Sequence, residues 1–316
     1  MPERSLKWRF SSSLVPSEAN CRGYAYVLVW DSDLPLPQFD QSDAAKPSDV
    51  LIRRIVQLPP RELIAPVRAG AVFADGTRFP WRQHAVFDMV DGNRVDYLPA
   101  AAWDGALPHA FYGTVVAHLL AWRGMIPMHA CAVAIDGRAV LIAGTAGAGK
   151  SSLTAGVVAA GADLLSDDLS ALSFDPVAAP DPVILPGRTT IRLDPVVAAW
   201  SEGDRIDLPP EDTRGKVVLR PPARSAAGLP LAGVIALGMP PGTLSPVNGA
   251  RFLTRHLFRP VWLAALPNHL ARQRALLNLA AFLPVIGFPA VAGGGRDAHE
   301  RRAREVLALA QGFTPS

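Results

Sequence analysis

Four residues carry the chemistry in this sequence: Lys150, Ser151, Asp167 and Asp168. Lys150 and Ser151 close the run Gly144-Thr145-Ala146-Gly147-Ala148-Gly149-Lys150-Ser151, which satisfies G-x-x-x-x-G-K-[ST] at every position. In such a loop the glycines let backbone N–H groups turn toward phosphate oxygens, and the helix that follows adds partial positive charge. The lysine reaches the β- and γ-phosphates and the serine hydroxyl faces Mg²⁺. Gly144 to Ser151, with Ser152, are therefore the expected nucleotide contacts, and ATP with Mg²⁺ the expected cofactors. Asp167 and Asp168 come only one short crossover later. One carboxylate can hold Mg²⁺, directly or through water, while the other accepts a proton from an attacking hydroxyl.

The elements around these residues fit that use. Ala139-Val140-Leu141-Ile142-Ala143 is an apolar run of strand length ahead of the loop, and Ser152 to Val158 starts a helix after it, the context the motif requires. Cys131 to Ile135 and Arg138 to Ala143, joined by Asp136-Gly137, read as a hairpin. The helix ends near Gly161, and the next strand returns the two aspartates beside the loop.

Residues 128 to 172, MHACAVAIDGRAVLIAGTAGAGKSSLTAGVVAAGADLLSDDLSAL, resemble the catalytic core of the HPr kinase/phosphorylase superfamily. The resemblance is closer to HPr-kinase-related serine kinases of bacterial peptide-modification clusters, including those acting on lasso-peptide precursors. It implies an α/β fold with a P-loop, HPr-kinase/carboxykinase-like core built on a mixed β-sheet. It also implies that His129 matches a superfamily histidine, that Asp167 is the proton acceptor and that Asp168 is a metal-associated carboxylate beside Ser151. From sequence alone the two aspartates can exchange those roles. Arg188, Arg192 and Lys216 are candidate substrate contacts, Lys216 because related kinases carry a lysine nearby. The implied partner is a peptide or protein with a serine acceptor, such as a ribosomally made, lasso-type precursor. A homo-oligomer stays open. The I-E-V-R-G-L-G-type signature of the HPr enzymes does not occur downstream, which separates this chain from them.

Composition narrows the alternatives. The formal charge of +3 over 316 residues is too mild for a nucleic-acid partner. Two cysteines, Cys21 and Cys131, make no disulfide framework, and Cys131 reads as a small buried residue. No apolar run of 18 residues or signal-like core occurs, so no membrane span is expected and the expected location is cytoplasmic. The strings L-S-G-G-Q, N-K-x-D, H-R-D and D-F-G are absent, which disfavours transporter ATPases, regulatory GTPases and eukaryotic-type protein kinases.

Two domains are expected: a small β-rich N-terminal domain over 1–105 and a P-loop kinase domain over 106–316. In the first, residues 1 to 20 form a polar lead-in and Gly23 to Trp30 reads as one strand. Trp81, His84 and Asp88 suit a peptide groove or ordinary packing. Pro108 to Arg123 predicts a connecting helix, with Phe111, Val115, Leu119 and Trp122 at helical spacing. Pro240 to Ala250 reads as a loop. Arg251, Arg255 and Arg259, spaced by four, predict one basic helix face, either solvated or suited to an acidic peptide or phosphates. Two other functions fit the same motifs: a small-molecule kinase, which an arginine-rich pocket closed to peptides would favour, and a nucleotide-sensing protein without transfer.

Overall fold

The computed structural model describes residues 21–43, 45–81, 84–101, 103, 105–175, 179–208, 213–222, 224–290 and 293–313. The polar lead-in over 1–20 lies outside the described residues. Nine strands form the first sheet: β1 (Cys21–Ala25), β2 (Leu28–Ser32), β3 (Asp40–Gln41), β4 (Val50–Arg54), β5 (Leu63–Val67), β6 (Gly70–Phe73), β7 (Gly76–Trp81), β8 (Ala85–Val90) and β9 (Arg94–Pro99). Their order is β3-β1-β2-β4-β9-β8-β7-β6-β5, with β4 parallel to both neighbours and the other pairs antiparallel.

The strand expected over Gly23 to Trp30 is a hairpin instead. Tyr26 and Val27 sit at its tip with φ of 58° and 61°, the left-handed pair a two-residue turn demands. Both are strand formers, and left-handed backbone disfavours them. Tertiary contacts hold Tyr26 there: its ring is fully buried, its N–H donates to Pro186 O (2.6 Å) and its hydroxyl donates to Leu169 O (3.2 Å). Gly187 makes room, since a Cβ there would lie 2.8 Å from the Tyr26 ring.

A π-helical turn, Phe111–Val115, runs into α1 (Val116–Trp122), so the connecting segment is helical with a widened first turn. The second sheet follows: β10 (Ile126–Met128), β11 (Ala130–Ile135), β12 (Arg138–Gly144), β13 (Asp163–Ser166), β14 (Ser170–Asp175) and β15 (Ala179–Leu185), with α2 (Lys150–Ala159) between β12 and β13. A three-stranded sheet holds β16 (Ile191–Leu193), β17 (Asp204–Arg205) and β18 (Val217–Arg220), with the short α3 (Pro195–Ala198) after β16. β19 (Leu229–Leu237), β20 (Gly242–Thr243) and β21 (Val285–Phe288) complete the second sheet. Its order is β10-β14-β15-β19-β12-β11-β13, with β21 on β19 and β20 on β21. β12, β19 and β21 are parallel neighbours and the other pairs antiparallel, so the sheet is mixed.

Alternation along β11 sets the layers, because successive strand side chains face opposite ways. Ala130, Ala132 and Ala134 join a core with α4 (Pro246–Arg255), α5 (Pro260–Ala265) and α6 (His269–Phe282). Cys131, Val133 and Ile135 join Leu153 and Val157 of α2 and Val306 of α7 (Gly295–Gln311) on the other face. A third core fuses the first sheet and α1 to Leu169, Ala171, Leu185 and Phe258.

The stretch expected as a loop over Pro240 to Ala250 contains β20 and the start of α4. Ser245 accepts the Asn248 N–H at the N-cap and Pro246 occupies the first turn, a helix start written in the sequence. α4 ends at Arg255, and Arg259 has φ of 52° ahead of α5. The three arginines therefore do not share one continuous helix.

Candidate active site

The hairpin of β11 and β12 turns on Asp136 (φ 49°) and Gly137 (φ 75°), and delivers β12 to the phosphate-loop pattern at Gly144. Thr145, Ala146, Gly147 and Gly149 lie toward solvent at the end of the sheet. Gly147 and Gly149 have φ of 83° and 88°, Gly149 at the N-cap of α2. Both positions need glycine for backbone reasons alone. Lys150 is buried, and its ammonium donates to the Gly144 (2.9 Å) and Thr145 (3.2 Å) carbonyls, so the charge is not left without acceptors.

Ser151 points the other way, donating to Asp167 Oδ1 at 2.7 Å. Asp167 is buried and receives two more donors: the Cys131 thiol on Oδ1 (3.0 Å) and the Arg192 backbone N–H on Oδ2 (3.1 Å). Burial, then the Asp167 charge, push the Cys131 thiol well up, so it stays a protonated donor. Two hard oxygens, Ser151 Oγ and Asp167 Oδ1, thus meet beside the loop. That donor set fits Mg²⁺, which takes one or two carboxylates and leaves its other positions to phosphates and water. Among the described residues no group of three or more His, Cys, Asp and Glu side chains is arranged to hold a metal by itself.

Asp168 lies one residue on and faces elsewhere. Its φ is 66°, a conformation that costs a non-glycine residue on the order of 1 kcal/mol. The turned backbone aims its carboxylate at three partners: His129 Nε2 (3.3 Å), His109 Nε2 (3.6 Å) and Arg188 Nη2 (3.4 Å). Burial raises this carboxyl, but hydrogen bonds from His109 and His129 and the Arg188 charge together hold it well below the usual range. Burial pushes the His109 imidazole down. Arg188 is itself buried; its guanidinium also donates to Asp167 O (2.9 Å) and to Gln38 Oε1 of the first sheet's connecting segment (3.0 Å).

Asp168, His109 and His129 border a cleft of about 560 Å³ between the first sheet and the loop. Trp81 and His84 also line it, whereas Asp88 is buried in ion pairs with Arg61 (2.6 Å) and Arg78 (2.7 Å) and belongs to the packing. Arg192 and Arg214 line the cleft, whereas Lys216 is exposed and does not line it. A second cleft of about 570 Å³ lies against Gly147, Gly149 and Ser152, bounded by Trp200, His299 and Arg302.

Lys150, Ser151, Asp167, Asp168, His129, Arg188 and Arg192, all expected at the site, are therefore brought together. His109, Gln38 and Tyr26 carry no signal in the sequence, because their partners are far along the chain. Cys131 reads as a core residue there because a buried thiol is the common case. No family model matches the chain, and no curated protein does. Among solved structures it is similar to the Hpr(Ser) kinase/phosphatase from Coxiella burnetii, at 17% identity and a TM-score of 0.30 over 59% of this chain and 93% of that one.

Proposed function

We propose that this chain transfers the γ-phosphoryl group of ATP, with Mg²⁺, to a serine hydroxyl of a peptide or protein. The carrying observation is the divergence of two adjacent carboxylates, Asp167 toward Ser151 on the loop and Asp168 toward the open cleft. Gly144 to Ser152 hold the triphosphate, with Lys150 exchanging its two carbonyl partners for phosphate oxygens. Ser151 Oγ and Asp167 Oδ1 would hold Mg²⁺. The ion, when bound, neutralises charge on the phosphates. Asp168 orients the acceptor hydroxyl and takes its proton, held in place by His129, His109 and Arg188. This exchanges the roles that the family resemblance gives the two aspartates. A carboxylate so strongly stabilised as an anion is a weak base, which suits a loose transition state in which the proton leaves late. We assign the nucleoside to the second cleft, which lies against Gly147, Gly149 and Ser152 and is bounded by Trp200 and His299. The acceptor we favour is a ribosomally made precursor of lasso type.

Labelled ATP, Mg²⁺ and candidate precursor peptides test this directly. Asp168→Asn is expected to lower transfer by about 10²–10⁴-fold and to keep nucleotide binding. Asp167→Asn is expected to raise the Mg²⁺ concentration needed for half-maximal transfer. Unchanged transfer in Asp168→Asn would remove the proposed acceptor-side role.

A further inference from the structure

We propose that the cleft in front of Asp168 selects an acidic acceptor, a serine-bearing peptide segment with carboxylates close to the hydroxyl. The inference rests on the phosphoryl-transfer reading and gives its acceptor a chemical class. Five guanidinium groups, Arg68, Arg192, Arg214, Arg255 and Arg259, line the cleft against the single carboxylate of Asp168. The whole chain has a formal charge of only +3, so positive charge is concentrated here rather than spread over a basic surface. Arg68, Arg214, Arg255 and Arg259 make no ion pair with a carboxylate among the described residues. Clustered like charges oppose folding unless something else is gained.

The backbone supplies an independent observation. Nine described non-glycine residues have φ in the left-handed region, and four of them line this cleft: Arg68 (53°), Asp168 (66°), Arg214 (50°) and Arg259 (52°). Glycine, asparagine and aspartate are the usual occupants of that conformation. Three arginines holding it around one cleft are there for their side chains, since strain of this kind gathers at functional sites.

Most of these arginines come from segments other than the phosphate loop, whose Ala146 borders the same cleft. The triphosphate has Lys150 and the α2 N-terminus on the loop side, whereas Arg68 comes from the turn after β5 and Arg255 and Arg259 from the α4–α5 junction. The acceptor hydroxyl must reach Asp168, whose charge repels a carboxylate beside it. Anionic groups of the acceptor therefore lie toward the rim, where Arg68, Arg214, Arg255 and Arg259 are exposed. Trp81, Phe258 and Val261 give the stem between them an apolar wall. Charges drawn from distant chain segments around an open mouth suit an extended peptide with spaced carboxylates, each guanidinium able to take one in bidentate fashion.

The full chain is offered labelled ATP, Mg²⁺ and serine peptides that differ only in flanking Glu/Asp, Gln/Asn or Lys, together with a panel of small hydroxy acids. Fluorescence anisotropy of a labelled acidic peptide with its serine changed to alanine reads binding without transfer. The acidic peptides are expected to be used about tenfold better than the neutral ones, through KM. The labelled acidic probe is expected to bind about tenfold tighter than its amide counterpart, and more weakly as salt rises. Arg68→Glu combined with Arg255→Glu should erase both preferences, while Arg301→Glu on the exposed face of α7 should erase neither. Equal or better use of neutral or basic peptides overturns the inference and leaves the kinase reading standing. Failure of any peptide to bind, or phosphorylation of small hydroxy acids alone, overturns it as well. Arginine-dependent binding of the acidic probe with no transfer to any peptide supports the inference and overturns the kinase reading.

Discussion

Asp167 and Asp168 are neighbours in the chain and live in different molecules, chemically speaking. Asp167 is caged by uncharged donors, the Ser151 hydroxyl of α2, the Cys131 thiol of β11 and the Arg192 backbone N–H of β16 in the three-stranded sheet. Asp168 faces two imidazoles and a guanidinium, drawn from the segment before α1, the start of β11 and the segment after β15. Two of the three donors to Asp167 come from the hairpin–loop–helix–strand unit over β11 to β13, and the third is the Arg192 N–H of β16. The arrangement around Asp168 exists only when distant parts of the chain have docked. A site can thus combine a part specified mostly locally with a part specified by tertiary packing, divided at one left-handed residue.

The largest break in that comparison is expected from Arg188→Ala. The buried guanidinium holds Asp168, the Asp167 carbonyl and Gln38 together. Its loss leaves a carboxylate short of its partner and a cavity, costing on the order of 3 kcal/mol in denaturant titration. Arg188→Lys should recover part of the stability without the forked geometry.

Acid tests the Asp168 half of the comparison next. Because Asp168 is held ionised in the folded state, its pKa there lies below the unfolded value of about 3.9. It contributes stability above about pH 4 that is lost as pH falls toward the folded value, and each tenfold difference in proton affinity between the two states is worth about 1.4 kcal/mol. Urea midpoints measured from pH 5 downward should fall less steeply in Asp168→Asn than in the parent chain.

The smallest effect is expected at Cys131. Cys131→Ala removes one of three donors to Asp167 and should cost about 1 kcal/mol. It should leave the pH dependence attributed to Asp168 unchanged. An altered acid limb in this variant would show that the two carboxylates are not insulated from one another.

What is legible in the sequence follows the same division. The loop, the Asp136-Gly137 hairpin and the return of the two aspartates are short-range patterns, and each is found where its spacing places it. Ser245-Pro246 is an equally local helix start, but the prolines and glycines around it mask the signal. The Tyr26-Val27 turn has no local signal: two strand formers occupy it, and only contacts with Pro186 and Leu169 reveal why. His109 and the left-handed arginines are of the same kind, since no local pattern encodes a partner far along the chain or a strained φ.

The hairpin tip has a consequence for how this protein could change. Tyr26 is wedged against Gly187 and bonded to Leu169, the residue that directly follows Asp168. Replacing the first sheet with an unrelated domain, in the laboratory or by recombination, would withdraw that wedge and loosen the turn that aims Asp168. If the proposed function holds, such a chimera should still bind nucleotide while losing transfer. On the proposed phosphoryl-transfer reading, new acceptor preferences are therefore more accessible by substitution around the cleft rim than by exchange of the whole sheet.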